Sequence, residues 1–203
     1  MATLRLPFLV LLTVLRLVLP VASNEKPPAD SQFSILRVTV GKDDFQTLQD
    51  KLGPTKKCHV SDHDGFDLAG YSDSAGTLVF EFAEIGGGDV TAFSLGPPTR
   101  AVACRLSPLR PEHLQLVTGG GVRLGMTEQE FRVLFGEPVT RNRSGNWKYD
   151  WTFDAKYTED EKRAAIAAGH PVASDTYLVG VIVEARFANG VLQYFYISKT
   201  EST

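Results

Sequence analysis

Trp147, Tyr149, Trp151 and Phe153 alternate with Lys148, Asp150 and Thr152. Side chains of an extended strand point to opposite faces with a period of two, so four aromatic rings fall on one side and the polar residues on the other. A stripe of rings that large demands a covering layer. Two more strands are expected at residues 178–187 and 191–198, joined through Asn189-Gly190, a dipeptide that accepts the positive φ values of a two-residue hairpin turn. Pairing through that turn sets Phe187 opposite Leu192, Ala185 opposite Tyr194 and Val183 opposite Tyr196, an apolar face suited to helix packing. The other face then carries Ile182, Glu184, Arg186, Gln193, Phe195 and Ile197. These are the candidate binding residues, because arginine and aromatic side chains anchor protein interfaces. An ordinary half-exposed antiparallel sheet has the same appearance, so the pattern nominates the face without deciding between the two.

The covering layer is also written in the sequence. Thr127-Glu128-Gln129-Glu130 has the form of a capping box, Phe131, Leu134 and Phe135 make an apolar stripe, and Gly136-Glu137-Pro138 stops the helix. The same order occurs earlier. Asp44 caps a short helix through Lys51, Phe45, Leu48 and Leu52 make its stripe, and Gly53-Pro54 ends it. After a polar loop, Tyr71 opens a strand-like region, residues 77–83 alternate, Gly86-Gly87-Gly88 turns and residues 90–95 return. The expected fold class is therefore α+β, with two tandem helix-plus-antiparallel-sheet repeats. The first spans 35–98 and the second 121–199, with a linker at 99–120 and a helical insertion at 158–169 that opens on Thr158-Glu159-Asp160-Glu161. Residues 101–106 of the linker are a candidate strand holding Cys104.

The N-terminus combines Arg5, an apolar stretch and the small residues Val21-Ala22-Ser23, the pattern of a cleavable signal peptide over 1–23. Arg16 and Pro20 interrupt the run that a spanning helix requires, so no stable membrane insertion is expected. Residues 24–34, rich in polar residues and proline, are expected to be a flexible lead-in. The product is expected to be periplasmic or secreted. In such an oxidising compartment an isolated pair, Cys58 and Cys104, is expected to form a disulfide, the alternative being two buried thiols. A formal net charge of −3 gives no reason to expect nucleic acid as a partner.

The run Leu124-Gly125-Met126-Thr127, Phe131, Leu134, Phe135-Gly136-Glu137-Pro138 and Trp147-Lys148-Tyr149 resembles the helix-and-strand signature of the SmpA/OmlA (BamE-like) outer-membrane lipoproteins. The two-copy arrangement resembles the BLIP-like, or beta-lactamase-inhibitor-protein-like, tandem fold. That resemblance implies a scaffold for contact with another protein, with an envelope-assembly role as the alternative. The lipoprotein family is tethered through an N-terminal cysteine, and none stands near Ser23.

Evidence of catalysis is thin. His59 and His63, beside Asp62, Asp64 and Asp67, are weak metal candidates, since their spacing suits a helical pair while the surrounding residues suit a loop. His113 and His170 sit beside prolines in expected turns. Asn142-Arg143-Ser144 has the form of a glycosylation acceptor, or is simply an exposed loop. No nucleophile elbow or phosphate loop is present. The expectation is a non-catalytic protein without cofactor that binds another protein, with a metal-dependent enzyme as the alternative.

Overall fold

The computed structural model describes residues 26–59, 66–74, 76–83, 88–97, 105–110, 115–143, 145–167, 169, 172 and 174–202. The expected signal peptide lies outside them, as do His63, Cys104, His113, His170 and residues 101–104 of the expected linker strand.

A small hairpin, β1 (Ser34–Ile35) and β2 (Val38–Thr39), precedes helix α1 (Phe45–Leu52). Strands β3 (Cys58–His59), β4 (Phe66–Asp73), β5 (Gly76–Ala83) and β6 (Val90–Leu95) follow, then β7 (Ser107–Pro108). Helix α2 (Glu128–Phe135) leads into β8 (Thr140–Arg141), β9 (Asn146–Lys156), helix α3 (Glu159–Ala167), β10 (Thr176–Ala188) and β11 (Val191–Ser202). Among the described residues the main sheet runs β3-β4-β5-β6-β11-β10-β9-β8, antiparallel throughout, with β7 added parallel to β4. The protein is thus mixed α+β, dominated by an antiparallel sheet.

Local chemistry explains the helices. Asp44 accepts from the Thr47 N–H at 2.8 Å. Thr127 and Glu130 close a reciprocal capping box, the Thr127 N–H donating to Glu130 Oε2 at 2.6 Å and the Glu130 N–H to Thr127 Oγ1 at 3.2 Å. Thr158 and Glu161 repeat that exchange at the start of α3. These bonds satisfy N–H groups that the first turn leaves without helical partners. They also hold the Asp44, Glu130 and Glu161 carboxyls below their ordinary pKa, in each case chiefly through the backbone N–H they accept.

The two halves meet at the β6–β11 pairing, where Phe93 faces Ile197 and Leu95 faces Phe195. Phe80, Phe93, Phe195 and Ile197 are all fully buried on the helix-covered side. Leu48 and Leu52 of α1 join the same core as Phe131 and Phe135 of α2, so one core serves both helices. Phe131 is its aromatic hub, with Trp147, Tyr149, Phe187 and Phe195 all within 6.3 Å between ring centroids.

Matching bonds recur on either side of the junction. The Gly41 N–H donates to the Val90 carbonyl and the Val90 N–H to Asp43; the Gly125 N–H donates to Leu192 and the Leu192 N–H to Met126. Gly41 and Gly125 both have positive φ, +74° and +81°. The Tyr71 hydroxyl donates to the Gly53 carbonyl at 2.8 Å, and the Tyr149 hydroxyl to the Gly136 carbonyl at 3.1 Å. Each of those glycines ends its helix.

Several expectations need correction. β4 begins at Phe66, ahead of Tyr71, where the sequence shows no clean alternation. The flexible lead-in over 24–34 does not extend to its end. Asp30–Phe33 forms a 3-10 turn, Gln32 is only 3% exposed, and its amide bonds the Gly120 carbonyl and the Thr118 hydroxyl. The partners that order Gln32 stand far along the chain, so local composition does not reveal them.

Candidate binding face

The hairpin turn forms at Asn189-Gly190, and Phe187 does face Leu192, but the register then shifts. Arg186 pairs with Tyr194, Ala185 with Phe195 and Val183 with Ile197, leaving Gln193 as an extra residue on β11. A bulge of one residue sends every later side chain to the opposite face. Phe195 and Ile197 are therefore core residues, each 0% exposed, rather than members of the open face. Tyr194 and Tyr196 take the outer positions instead. Ile182 and Arg186 stay on that face half-buried, and Glu184 is exposed. Gln193 is exposed at the bulge itself.

The bulge needs a glycine opposite it. Gly96, at φ +104°, runs so close to β11 that a Cβ at that position would overlap the Gln193 carbonyl. Only glycine tolerates both the dihedral and the approach. β6 has a counterpart, since Phe82 pairs with Val90 but Glu81 with Ala92, leaving Thr91 as the extra residue.

The outer face of β9, β10 and β11 is ordered in cross-strand rows. One row is Asn146, Arg186 and Tyr194, and the next is Lys148, Glu184 and Tyr196. The Arg186 guanidinium lies 5.4 Å from the centre of the Tyr194 ring, a cation–π contact that holds it flat against the sheet. Lys148 Nζ is 3.9 Å from Asp150 Oδ2, and the Tyr196 hydroxyl donates to Glu81 of the other half at 3.1 Å. A groove of about 400 Å³ opens here, lined by Thr140, Arg141, Lys148, Glu184, Arg186 and Tyr194, among others. Arg141 also pairs with Glu128 at 3.0 Å and lies 4.9 Å from the Trp147 ring. Arg141 thus belongs to the side of Trp147 and α2, while on the outer face Lys148 and Arg186 stand against Glu184 and the Asp150 paired with Lys148, a balanced set in which Arg186 is held by a ring.

The outer face of β4 and β5 is different. Leu68 and Val79 form a second apolar cluster there, with Cys58 and Leu106 packed against it. Leu106 sits so tightly over Gly70 that a Cβ would overlap its methyl group. The segment after β6 thus covers this part of the sheet.

Of the weak metal candidates, His59 is exposed on β3, its Nδ1 3.6 Å from Asp67 Oδ1. Among the described residues no group of three His, Cys, Asp or Glu side chains is arranged to hold a metal ion. No cysteine among them is free. No described helix is long and apolar enough to cross a membrane.

Sequence reasoning missed Arg141, Lys148 and Tyr194. Lys148 was recoverable, because it alternates with the aromatic residues of β9 and must face away from the helices. Tyr194 was not, since its face depends on the bulge.

No protein family, curated protein or solved structure matches this chain.

Proposed function

We propose that this chain is an exported, non-catalytic protein-binding module of the periplasm or extracellular space, and that it binds another protein on the outer face of β9–β11. The observation that carries this reading is the groove, where the Tyr194 ring braces Arg186 beside Lys148 and Glu184 on an uncovered sheet face. An arginine held against an aromatic ring is the kind of side chain that anchors protein interfaces.

The paired hydrogen bonds at Gly41 and Gly125, the tyrosine contacts to Gly53 and Gly136, and the bulges at Thr91 and Gln193 support reading the chain as two diverged copies of one BLIP-like unit. In this reading the signal peptide ends at Ser23 and a Cys58–Cys104 disulfide ties the linker to β3. N-terminal sequencing of the exported protein is expected to begin at Asn24. Non-reducing peptide mapping is expected to recover Cys58 and Cys104 joined.

The direct test is cross-linked capture from envelope and culture fractions, with the protein and its Lys148→Glu/Arg186→Glu variant as parallel baits. The reading expects a partner retained by the first and lost by the second, with retention weakening as salt rises. Identical capture by both baits would remove the groove from consideration.

A further inference from the structure

β10 pairs with β9 along its whole length, from Asn146 to Lys156. On the other side of β9 only Trp147 and Lys148 meet β8. Beyond Lys148 the outer edge of β9 has no strand partner among the described residues. The Asn142 N–H donates to the Asn146 carbonyl at 3.0 Å, and the Asn146 N–H to Asn142 Oδ1 at 3.0 Å, so Asn146 directs its backbone groups outward. By alternation Asp150, Thr152, Asp154 and Lys156 do the same. A row of backbone donors and acceptors about 20 Å long is thus presented at a strand already held straight by β10.

From this edge we infer that a second copy of the chain adds to the sheet, β9 against β9, antiparallel about a two-fold axis at Phe153. Such an interface is isologous, so one free edge supplies both sides. In this register Asp150 faces Lys156 of the partner subunit, and Thr152 faces Asp154 of the partner subunit. All four are outward-facing residues, as hydrogen-bonded pairs require, and the span fills the free edge without displacing β8. Neighbouring registers fail on charge or space. Centring the pair on Thr152 sets Asp150 against Asp154 and Lys148 against Lys156, both like-charged. Centring it on Trp151 requires Lys148, which β8 occupies.

The helix-side face fits as well. Phe153 is half-buried and packs only partly on the core, and in this register it meets Phe153 of the partner subunit. That is a non-hydrogen-bonded position, where opposing Cα atoms approach to about 4.5 Å. Trp151 lies opposite Ala155 of the partner subunit, large against small. One strand pair and one aromatic contact make a small interface, so the expected dissociation constant is on the order of 10 μM. The inference rests on the strand edge and does not depend on the binding groove.

Sedimentation equilibrium of protein expressed from the full chain, over about 1 to 200 μM, reads the result. The wild type is expected to pass from monomer to dimer. Thr152→Pro, which removes an outward N–H while leaving those toward β10 in place, is expected to stay monomeric and folded. Asp150→Lys is expected to weaken the dimer at least about tenfold, and Asp150→Lys/Lys156→Asp to restore it. Phe153→Cys is expected to form a disulfide-linked dimer on oxidation, and Thr200→Cys is not. A wild type that remains monomeric throughout overturns the inference, as does a dimer unchanged by both Thr152→Pro and Asp150→Lys. Should the proline variant fail to fold, the charge exchange decides: loss followed by restoration supports this register, and absence of either refutes it.

Discussion

The two outer ends of the sheet are built alike and finished differently. β4 and β9 each pair with the strand that follows in its own half, and each supplies a buried tyrosine to its helix stop. Yet the outer edge of β4 is covered by β3 at Asp67 and Leu68 and by β7 at Tyr71 and Ser72. Leu106 then turns onto its outer face. Among the described residues β9 has only the two residues of β8, and the groove beside it stays open. α3, inserted after β9, buries none of its side chains. The difference teaches that the core does not decide which half is available to a partner. The segments between strands do.

The sharpest way to break the comparison is to ask whether the halves are separable at all. Phe131→Ala removes the ring that touches β9, β10 and β11 together, and is expected to cost about 3–5 kcal/mol. Because both helices share one core, urea unfolding should remain a single transition seen equally by probes in either half. Two resolved transitions would show that the halves are independent.

Gly96→Ala comes next, at about 2–3 kcal/mol from the strained φ and the overlap with β11. Its effect should be read at Phe195, whose burial depends on the bulge, for instance by side-chain NMR shifts.

The tyrosine pair discriminates more finely. Tyr71→Phe leaves a buried Gly53 carbonyl unsatisfied and is expected to cost about 2 kcal/mol. Tyr149→Phe leaves an exposed Gly136 carbonyl that water can reach, at about 1 kcal/mol. Burial raises the Tyr71 hydroxyl from 10.0 to about 12 and raises that of Tyr149 as well. A folded pKa above the unfolded one means that this stability is intact below pH 10.0 and falls as pH rises toward about 12. Urea midpoints at about pH 9 and about pH 11 should show that fall in the wild type, and less of it in Tyr71→Phe.

The smallest effect belongs to the open face. Arg186→Ala is expected to change stability by less than about 0.5 kcal/mol in thermal or urea unfolding. A loss as large as that of Tyr149→Phe would make the Arg186–Tyr194 contact a structural prop and weaken the case for a binding groove.

The parts legible in the sequence are those whose causes are local. The caps at Asp44, Thr127 and Thr158 bond residues three positions away, and the alternation around Trp147 follows from strand geometry alone. The parts that were not legible have distant causes. Gln32 is ordered by Thr118 and Gly120, and the bulge at Gln193 packs against Gly96. Two-residue strands such as β7 and β8 carry no periodicity to detect. The site suffered most, because two of its six expected residues, Phe195 and Ile197, stand beyond the bulge.

That extra residue also sets a phase. Among the described residues β11 joins the two parts of the sheet, pairing with β6 on one side and β10 on the other. Deleting Gln193 would leave Tyr194 opposite Arg186 and Phe195 opposite Ala185 in a regular ladder, with every later side chain on its present face, whereas adding a residue there would put the rest of the strand out of step with both neighbours at once. Loss of one residue should therefore be better tolerated at Gln193 than gain of one, and a lineage of such chains would be expected to be able to shorten this strand there without exchanging its faces.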